Sequence, residues 1–318
     1  MSSVYEVINP ATEKVVKAIE LADQAATDAA IERAHKAFDS WRHVAPGDRA
    51  KLLRSFAAVV SAHREELASL EIENSGHTRG NALWEVDNVA NVLNYYSAAP
   101  ERLFGKQIPV PNGIDITFKE PLGVIGVIVP WNFPMPIAGW GFAPALAAGN
   151  CVVLKPAEQT PASILFLMEL IADLLPAGVV NIVTGDGSTG AAIVNHPGVH
   201  KIAFTGSTDV GKKIARAIAS TDKKATLELG GKGANIVFDD APIDETVEGI
   251  VNGIFFNQGH VCCAGSRLIL QEGIADEITE KLKARMSKIR VGDPLDKNTD
   301  LGAINSREQL NKINRSEE

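Results

Sequence analysis

Between residues 122 and 227, short apolar runs alternate with helical patterns, and this alternation constrains the fold more than any other feature of the chain. Residues 122–129, 151–154, 179–183, 201–204 and 225–227 read as strands, and residues 137–148, 161–175, 188–195 and 209–220 read as helices between them. Runs that are apolar without period-two alternation belong to strands covered on both faces. Strand and helix in strict succession give a parallel sheet with helices on either side, an α/β architecture.

Flanking segments extend this frame. Thr27 is expected to cap a helix through Ala30, Ile31, Ala34 and Phe38, and Asp48 a longer one with Leu52, Phe56, Val59, Val60, His63, Leu67 and Leu70 on one face. From residue 107 to 119 the period changes to two behind the turn signal Asn112-Gly113, which predicts a hairpin. A second βα region follows, with strands expected at 235–238 and 267–270 and helices at 243–256 and 274–289. Residues 311–318 are polar and carry neither a strand nor a packed helix in this reading.

With 318 residues, 45% of them hydrophobic and 22% charged, the chain can bury cores for two domains. Its net charge of −8 argues against a nucleic-acid partner, which calls for a basic face. The most apolar run, 122–129, is too short to span a bilayer. The amino terminus lacks a basic segment followed by an apolar stretch, and three cysteines, two of them adjacent, do not suit a disulfide framework; a cytoplasmic, reduced protein is expected.

Chemistry concentrates in five segments. Cys262 lies on a turn marked by Asn257, Gly259 and Gly265, a setting for an exposed nucleophile rather than a packed thiol, while Cys263 takes a structural reading. Glu228 ends a strand ahead of Gly230-Gly231 and can act as a general base on a flexible tether. Asn132, after Pro130 and Trp131 at a strand end, can donate to an oxyanion or serve as a plain turn residue. The segment from Gly206 through Ser207 to Gly211 joins a strand to a helix and suits a pyrophosphate, although a tight connection would look the same. Lys155 and Glu158 follow a strand and can hold a ribose, and a carboxylate there repels a 2′-phosphate, favouring NAD over NADP. His260, two residues before Cys262, raises a cysteine–histidine hydrolase, but such a histidine normally comes from a distant segment.

Taken together, residues 130–134, 155–158, 206–211, 227–232 and 255–267 resemble the NAD(P)-dependent aldehyde dehydrogenase superfamily in order and approximate spacing. The resemblance implies a Rossmann-like parallel-sheet cofactor domain formed by residues 1–102 and 121–229. It also implies an oligomerisation hairpin at 103–120 and a second α/β catalytic domain at 230–318. Cys262 matches the family nucleophile, Glu228 the base and Asn132 the oxyanion donor. Lys155 and Glu158 match the adenosine-ribose contacts, Gly206, Ser207 and Gly211 the pyrophosphate loop, and Trp131 and Leu229 further cofactor contacts. The expected reaction is oxidation of an aldehyde to an acid with NAD as hydride acceptor, through a thiohemiacetal and a thioester. Gly141 departs from the pattern, since many members carry lysine after the tryptophan matching Trp140. Complete members also continue beyond this sequence, with a Glu-x-Phe-Gly-Pro segment that grips the nicotinamide ribose and much of the substrate funnel. On that comparison the second domain is expected to be incomplete, the chain as written inactive and its homo-oligomeric state open. Two other readings stay open, a coenzyme-A-acylating relative and a non-catalytic nucleotide-binding fragment. Glu228 counts against the former.

Overall fold

The computed structural model describes residues 3–316; Met1, Ser2, Glu317 and Glu318, which fall within the expected terminal segments, lie outside the described residues. An antiparallel arm of β1 (Val4–Ile8) and β2 (Val15–Glu20) leads into four helices, α1 (Gln24–Trp41), α2 (Pro46–Ala62), α3 (Arg64–Ser75) and α4 (Arg79–Ser97). The expected hairpin follows as β3 (Gln107–Val110) and β4 (Gly113–Ile116), turning at Asn112, whose φ of 62° is the left-handed value that such a turn demands. Both of its strands are exposed throughout.

The alternating region forms a single five-stranded parallel sheet. Its elements are β5 (Val124–Ile128), α5 (Pro134–Ala147), β6 (Cys151–Lys155), α6 (Ala162–Leu170), β7 (Val180–Ile182), α7 (Gly187–Asn195), β8 (Lys201–Gly206), α8 (Thr208–Ile218) and β9 (Lys224–Leu229). Strand order is β7-β6-β5-β8-β9. Every residue of β5 and β6 is buried, as the unbroken apolar runs predict. One face packs α1, α7 and α8; the other packs α5 and α6, backed by α2, α3 and α4. Because the order reverses between β5 and β8, their carboxyl ends flank the crevice where such sheets take ligands.

A second parallel pair, β10 (Ala234–Val237) and β11 (Arg267–Leu270), packs with α9 (Ile243–Phe255) and α10 (Glu272–Met286) around Val237, Val247, Ile250, Val251, Ile278 and Leu282. Ile236, Leu268 and Ile269 on its strands, and Phe238 just after β10, are exposed. The final helix is α11 (Arg307–Ser316).

Several local expectations are corrected. Asp23, not Thr27, caps α1, its carboxylate accepting from the Ala26 N–H at 2.9 Å; Thr27 is buried one turn further on. Asp48 sits inside the first turn of α2, which begins at Pro46 behind Ala45. The expected long helix is two, broken at His63 (φ −104°, ψ 24°), because α3 must turn to pack on α4 and α6. Residues 311–316 are helical within α11, whose start is secured where Ser306 Oγ accepts from the Gln309 N–H at 3.2 Å and where Arg307 pairs with Glu13.

Candidate active site

The chain leaving β5 passes through Pro130, Trp131 and Asn132 into α5, whose first position is a proline that needs no hydrogen-bond donor. Asn132 therefore stands at the sheet edge with two tethers. Its Nδ2 donates to the His260 main-chain oxygen at 2.6 Å, and its own main-chain oxygen accepts from Asn257 Nδ2 at 2.7 Å. A carbonyl oxygen only accepts, so the His260 contact fixes which end of the Asn132 amide faces the turn leading to Cys262.

That turn is exposed at both Cys262 and Cys263, which corrects the structural reading of Cys263. Partial burial raises the Cys262 thiol above its ordinary value, and the neighbouring Cys263 adds to the effect. The Cys262 sulfur is therefore reachable but held as a thiol. His260 offers it no base: its ring is buried edge-on against Trp131 with centroids 4.9 Å apart, and burial lowers its pKa to about 4. Cys151, the third cysteine, is inert inside β6, its thiol pushed up to about 12 by burial.

Glu228 lies near the end of β9 opposite Thr205, exposed. The glycines after it bring the chain alongside the thiol turn: a β-carbon on Gly231 would lie 3.5 Å from the Cys262 carbonyl oxygen, and one on Gly230 would meet nothing within 4 Å. Thr208 Oγ1 donates to the Gly230 oxygen at 3.3 Å, tying this tether to the start of α8.

Across the carboxyl ends of β5, β6 and β8 lies a cavity of about 730 Å³, within the size range of cofactor sites. Trp131, Lys155, Glu158, Gly206 and Ser207 line it. Lys155 is buried, donating to the Pro156 oxygen at 3.1 Å with Glu158 at 3.5 Å, and burial lowers its pKa against the opposing pull of that carboxylate. Ser207 caps α8, its Oγ accepting from the Val210 N–H at 3.3 Å.

The remaining two expected cofactor residues play another part. Gly211 and Leu229 do not line the cavity; a β-carbon at Gly211 would overlap the Leu229 side chain, so this glycine lets α8 close on β9. Sequence reasoning passed over Asp186, Gly190, Lys213 and the α11 residues Glu308, Gln309 and Lys312, all of which line the cavity. The Ser-x-x-Gln pattern at Ser306–Gln309, a capping box, was the signal for the last group.

Behind Asn132 stands an aromatic group. Phe133 stacks on Phe256 at 6.0 Å, and Trp84 meets both edge-on at 6.0 and 5.9 Å. Trp84, from α4, carries no chemical motif and escaped the sequence reading, and Trp140 is tied instead to Asn88 at 2.9 Å. A β-carbon at Gly141 would overlap Val127, so the departure at this position lets α5 sit directly on β5.

Beneath this group lies a buried polar cluster of Glu71, His77 and Glu85, all at 0% exposure. Burial raises the Glu71 carboxyl to about 8 and that of Glu85 well above the usual range, and lowers His77 to about 4. His77 Nδ1 and Glu85 Oε1 meet at 2.5 Å, and burial pushes both groups toward their neutral forms.

Comparisons with known proteins bear on the chain as a whole. The aldehyde dehydrogenase family model matches residues 1–318. Among solved structures, a candidate aldehyde dehydrogenase from Burkholderia cenocepacia is 44% identical with a TM-score of 0.96, aligned over 99% of this chain and 65% of its own. PnpE from Pseudomonas sp. WBC-3, solved with nicotinamide adenine dinucleotide, is 41% identical with a TM-score of 0.95 over 98% of this chain and 65% of its own. An NADP-dependent enzyme of E. coli is 36% identical with a TM-score of 0.96 over 98% of this chain and 66% of its own. The chain thus spans about 65% of the length of the first of these structures. On the full-length family match and these likenesses, the chain belongs to the aldehyde dehydrogenase family.

Proposed function

We propose that this chain carries the nucleotide site and the nucleophile of an enzyme that oxidises an aldehyde to a carboxylic acid with NAD. The observation that carries the reading is the meeting of Asn132 with the turn before Cys262, one residue along from Trp131, which lines the cavity together with Lys155, Glu158 and Ser207. These residues fit a dinucleotide: a buried ammonium, a carboxylate beside it and a capped helix start face a space of suitable size. Lys155 and Glu158 would hold the adenosine ribose, and the first turn of α8 with Lys213 the pyrophosphate. NAD is preferred over NADP because Glu158 repels a 2′-phosphate. When bound, the cofactor supplies the hydride acceptor.

The protein's own groups perform the remaining steps. The exposed Cys262 thiol gives its proton to bulk water and the sulfur adds to the aldehyde carbon, forming a C–S bond as the carbonyl π pair moves to oxygen, an oxyanion held by Asn132 Nδ2 and the Cys262 N–H. After oxidation to the thioester, Glu228 takes a proton from water, whose oxygen attacks the carbonyl and releases the acid and the thiol. Trp84, Phe133 and Phe256 offer an apolar wall beside Asn132 and favour an aldehyde with an aromatic or aliphatic tail. In this reading residues 1–102 and 121–229 are the cofactor domain, 103–120 an oligomerisation hairpin and 230–318 the catalytic domain.

NAD titrated into the 318-residue chain by calorimetry, together with NADH formation from benzaldehyde, tests both halves. In a complete version, Cys262→Ala should abolish turnover and leave NAD binding intact; turnover that survives this change refutes the nucleophile. Binding without turnover in the 318-residue chain fits the inactivity expected of the chain as written, whereas absence of NAD binding refutes the nucleotide site.

A further inference from the structure

The turn preceding Cys262 contains two consecutive non-glycine residues in the left-handed region, Asn257 at φ 51°, ψ 44° and Gln258 at φ 55°, ψ 25°. Left-handed backbone costs an L-residue energy; asparagine tolerates it better than most, glutamine less well. A pair in succession persists only where the surroundings over-determine it. Here those surroundings are distant in sequence. Gln258 Nε2 donates to the main-chain oxygens of Gly76 and Ala303 at 3.1 and 3.2 Å.

Asn257 closes a ring. Its Nδ2 donates to the Asn132 oxygen at 2.7 Å, Asn132 Nδ2 donates to the His260 oxygen at 2.6 Å, and the His260 N–H donates to the Asn257 oxygen at 2.9 Å. Main chain and side chain of Asn132 are therefore both gripped by one turn. Asn257 is 1% exposed, so water cannot replace its amide there. The Asn132 amide has a second N–H, and its direction is set by the ring.

We infer that Asn257 is a positioning residue, which through this ring aims the free N–H of Asn132 at the oxyanion formed on Cys262. The inference rests on the proposed function, in which Cys262 is the nucleophile and Asn132 the donor. It adds that the donor is placed by a residue of the nucleophile's own turn, so that the two move as one unit. Asn257 touches neither substrate nor cofactor in this role.

The test separates oxyanion stabilisation from access to the thiol. Acylation of the chain by p-nitrophenyl acetate joins the Cys262 sulfur to the acetyl carbon through an oxyanion and expels p-nitrophenolate, which is read directly without cofactor. Alkylation by iodoacetamide displaces iodide at a saturated carbon and forms no oxyanion. Asn257→Asp keeps the shape and tolerates left-handed backbone but cannot donate; Asn257→Gly keeps the backbone and removes the amide. Both should slow acylation on the order of 10–100-fold, the cost of a donor misplaced by a fraction of an ångström to an ångström, while alkylation keeps the parent rate. Adding Asn257→Asp to Asn132→Ala should cost nothing further, as expected of residues acting as one unit.

Parent-like acylation in the glycine variant overturns the inference. Equal loss of acylation and alkylation does so as well, by showing a merely structural role. Release of p-nitrophenolate that persists in Cys262→Ala would instead remove the nucleophile assignment beneath it.

Discussion

The side-chain amide of Asn257 meets the main-chain oxygen of Asn132 at 2.7 Å although 125 positions separate them. This contact joins the carboxyl end of β5 to the turn carrying Cys262, so the sheet edge and the thiol share one local frame. A donor held this way needs no reorganisation when charge develops, which is the condition under which such groups lower a barrier most.

Asn132→Ala should therefore lower aldehyde oxidation by on the order of 10²–10³-fold. The loss should fall on kcat with little change in NAD affinity, as read by steady-state kinetics and calorimetry. An effect confined to KM would show that the amide binds substrate rather than the oxyanion.

The Cys262 thiol is raised by burial and by Cys263, and the thiolate is the reactive form. Labelling by iodoacetamide without cofactor should rise with pH to a midpoint above the ~8.5 of a free cysteine. Cys263→Ala removes one cause and should shift that midpoint down. A midpoint in Cys263→Ala that is unchanged would show burial alone to be responsible.

Glu71 binds its proton more tightly folded, with a pKa of about 8, than its ordinary value of 4.5. Between those values the unfolded chain releases the proton and the folded one retains it, so stability falls as pH rises across that window. His77, lowered to about 4 from 6.5, acts oppositely, its contribution being lost as pH falls from 6.5 toward 4. Glu71→Gln should shrink the loss of stability between about pH 6 and 8 by on the order of 1–3 kcal/mol. Urea midpoints at the two pH values provide the measurement; identical pH dependence in parent and variant would contradict a neutral buried carboxyl.

Glu158 stands 3.5 Å from the buried Lys155 ammonium at the cavity edge. Glu158→Ser should remove the repulsion toward a 2′-phosphate and improve NADP binding relative to NAD by at least about tenfold, corresponding to ~1.4 kcal/mol. Calorimetric titration with each dinucleotide decides it. An unaltered ratio would place the 2′ position elsewhere.

The sequence by itself determined the central sheet. Apolar runs such as 122–129 have no polar face to turn to water, so they could only become strands buried on both sides, and Asn112-Gly113 left the following segment one tight turn to make. The family was also legible, because residues 130–134, 227–232 and 255–267 stand in recognisable local segments.

Tertiary structure decided the rest, wherever a residue's partner lies far along the chain. The helix α4 was hidden because its buried face includes Glu85 while Trp84 and Tyr95 on it are exposed, an inversion of the usual pattern that only the polar cluster with His77 and the aromatic group with Phe133 explain. The seating of Leu229 against Gly211 likewise depends on how α8 closes on β9. At Asn257 and Gln258 the local preference of the backbone is overruled by hydrogen bonds that their side-chain amides donate to the main-chain oxygens of Asn132, Gly76 and Ala303. Local propensity cannot encode such a conformation, because the energy that maintains it comes from atoms brought near only by folding.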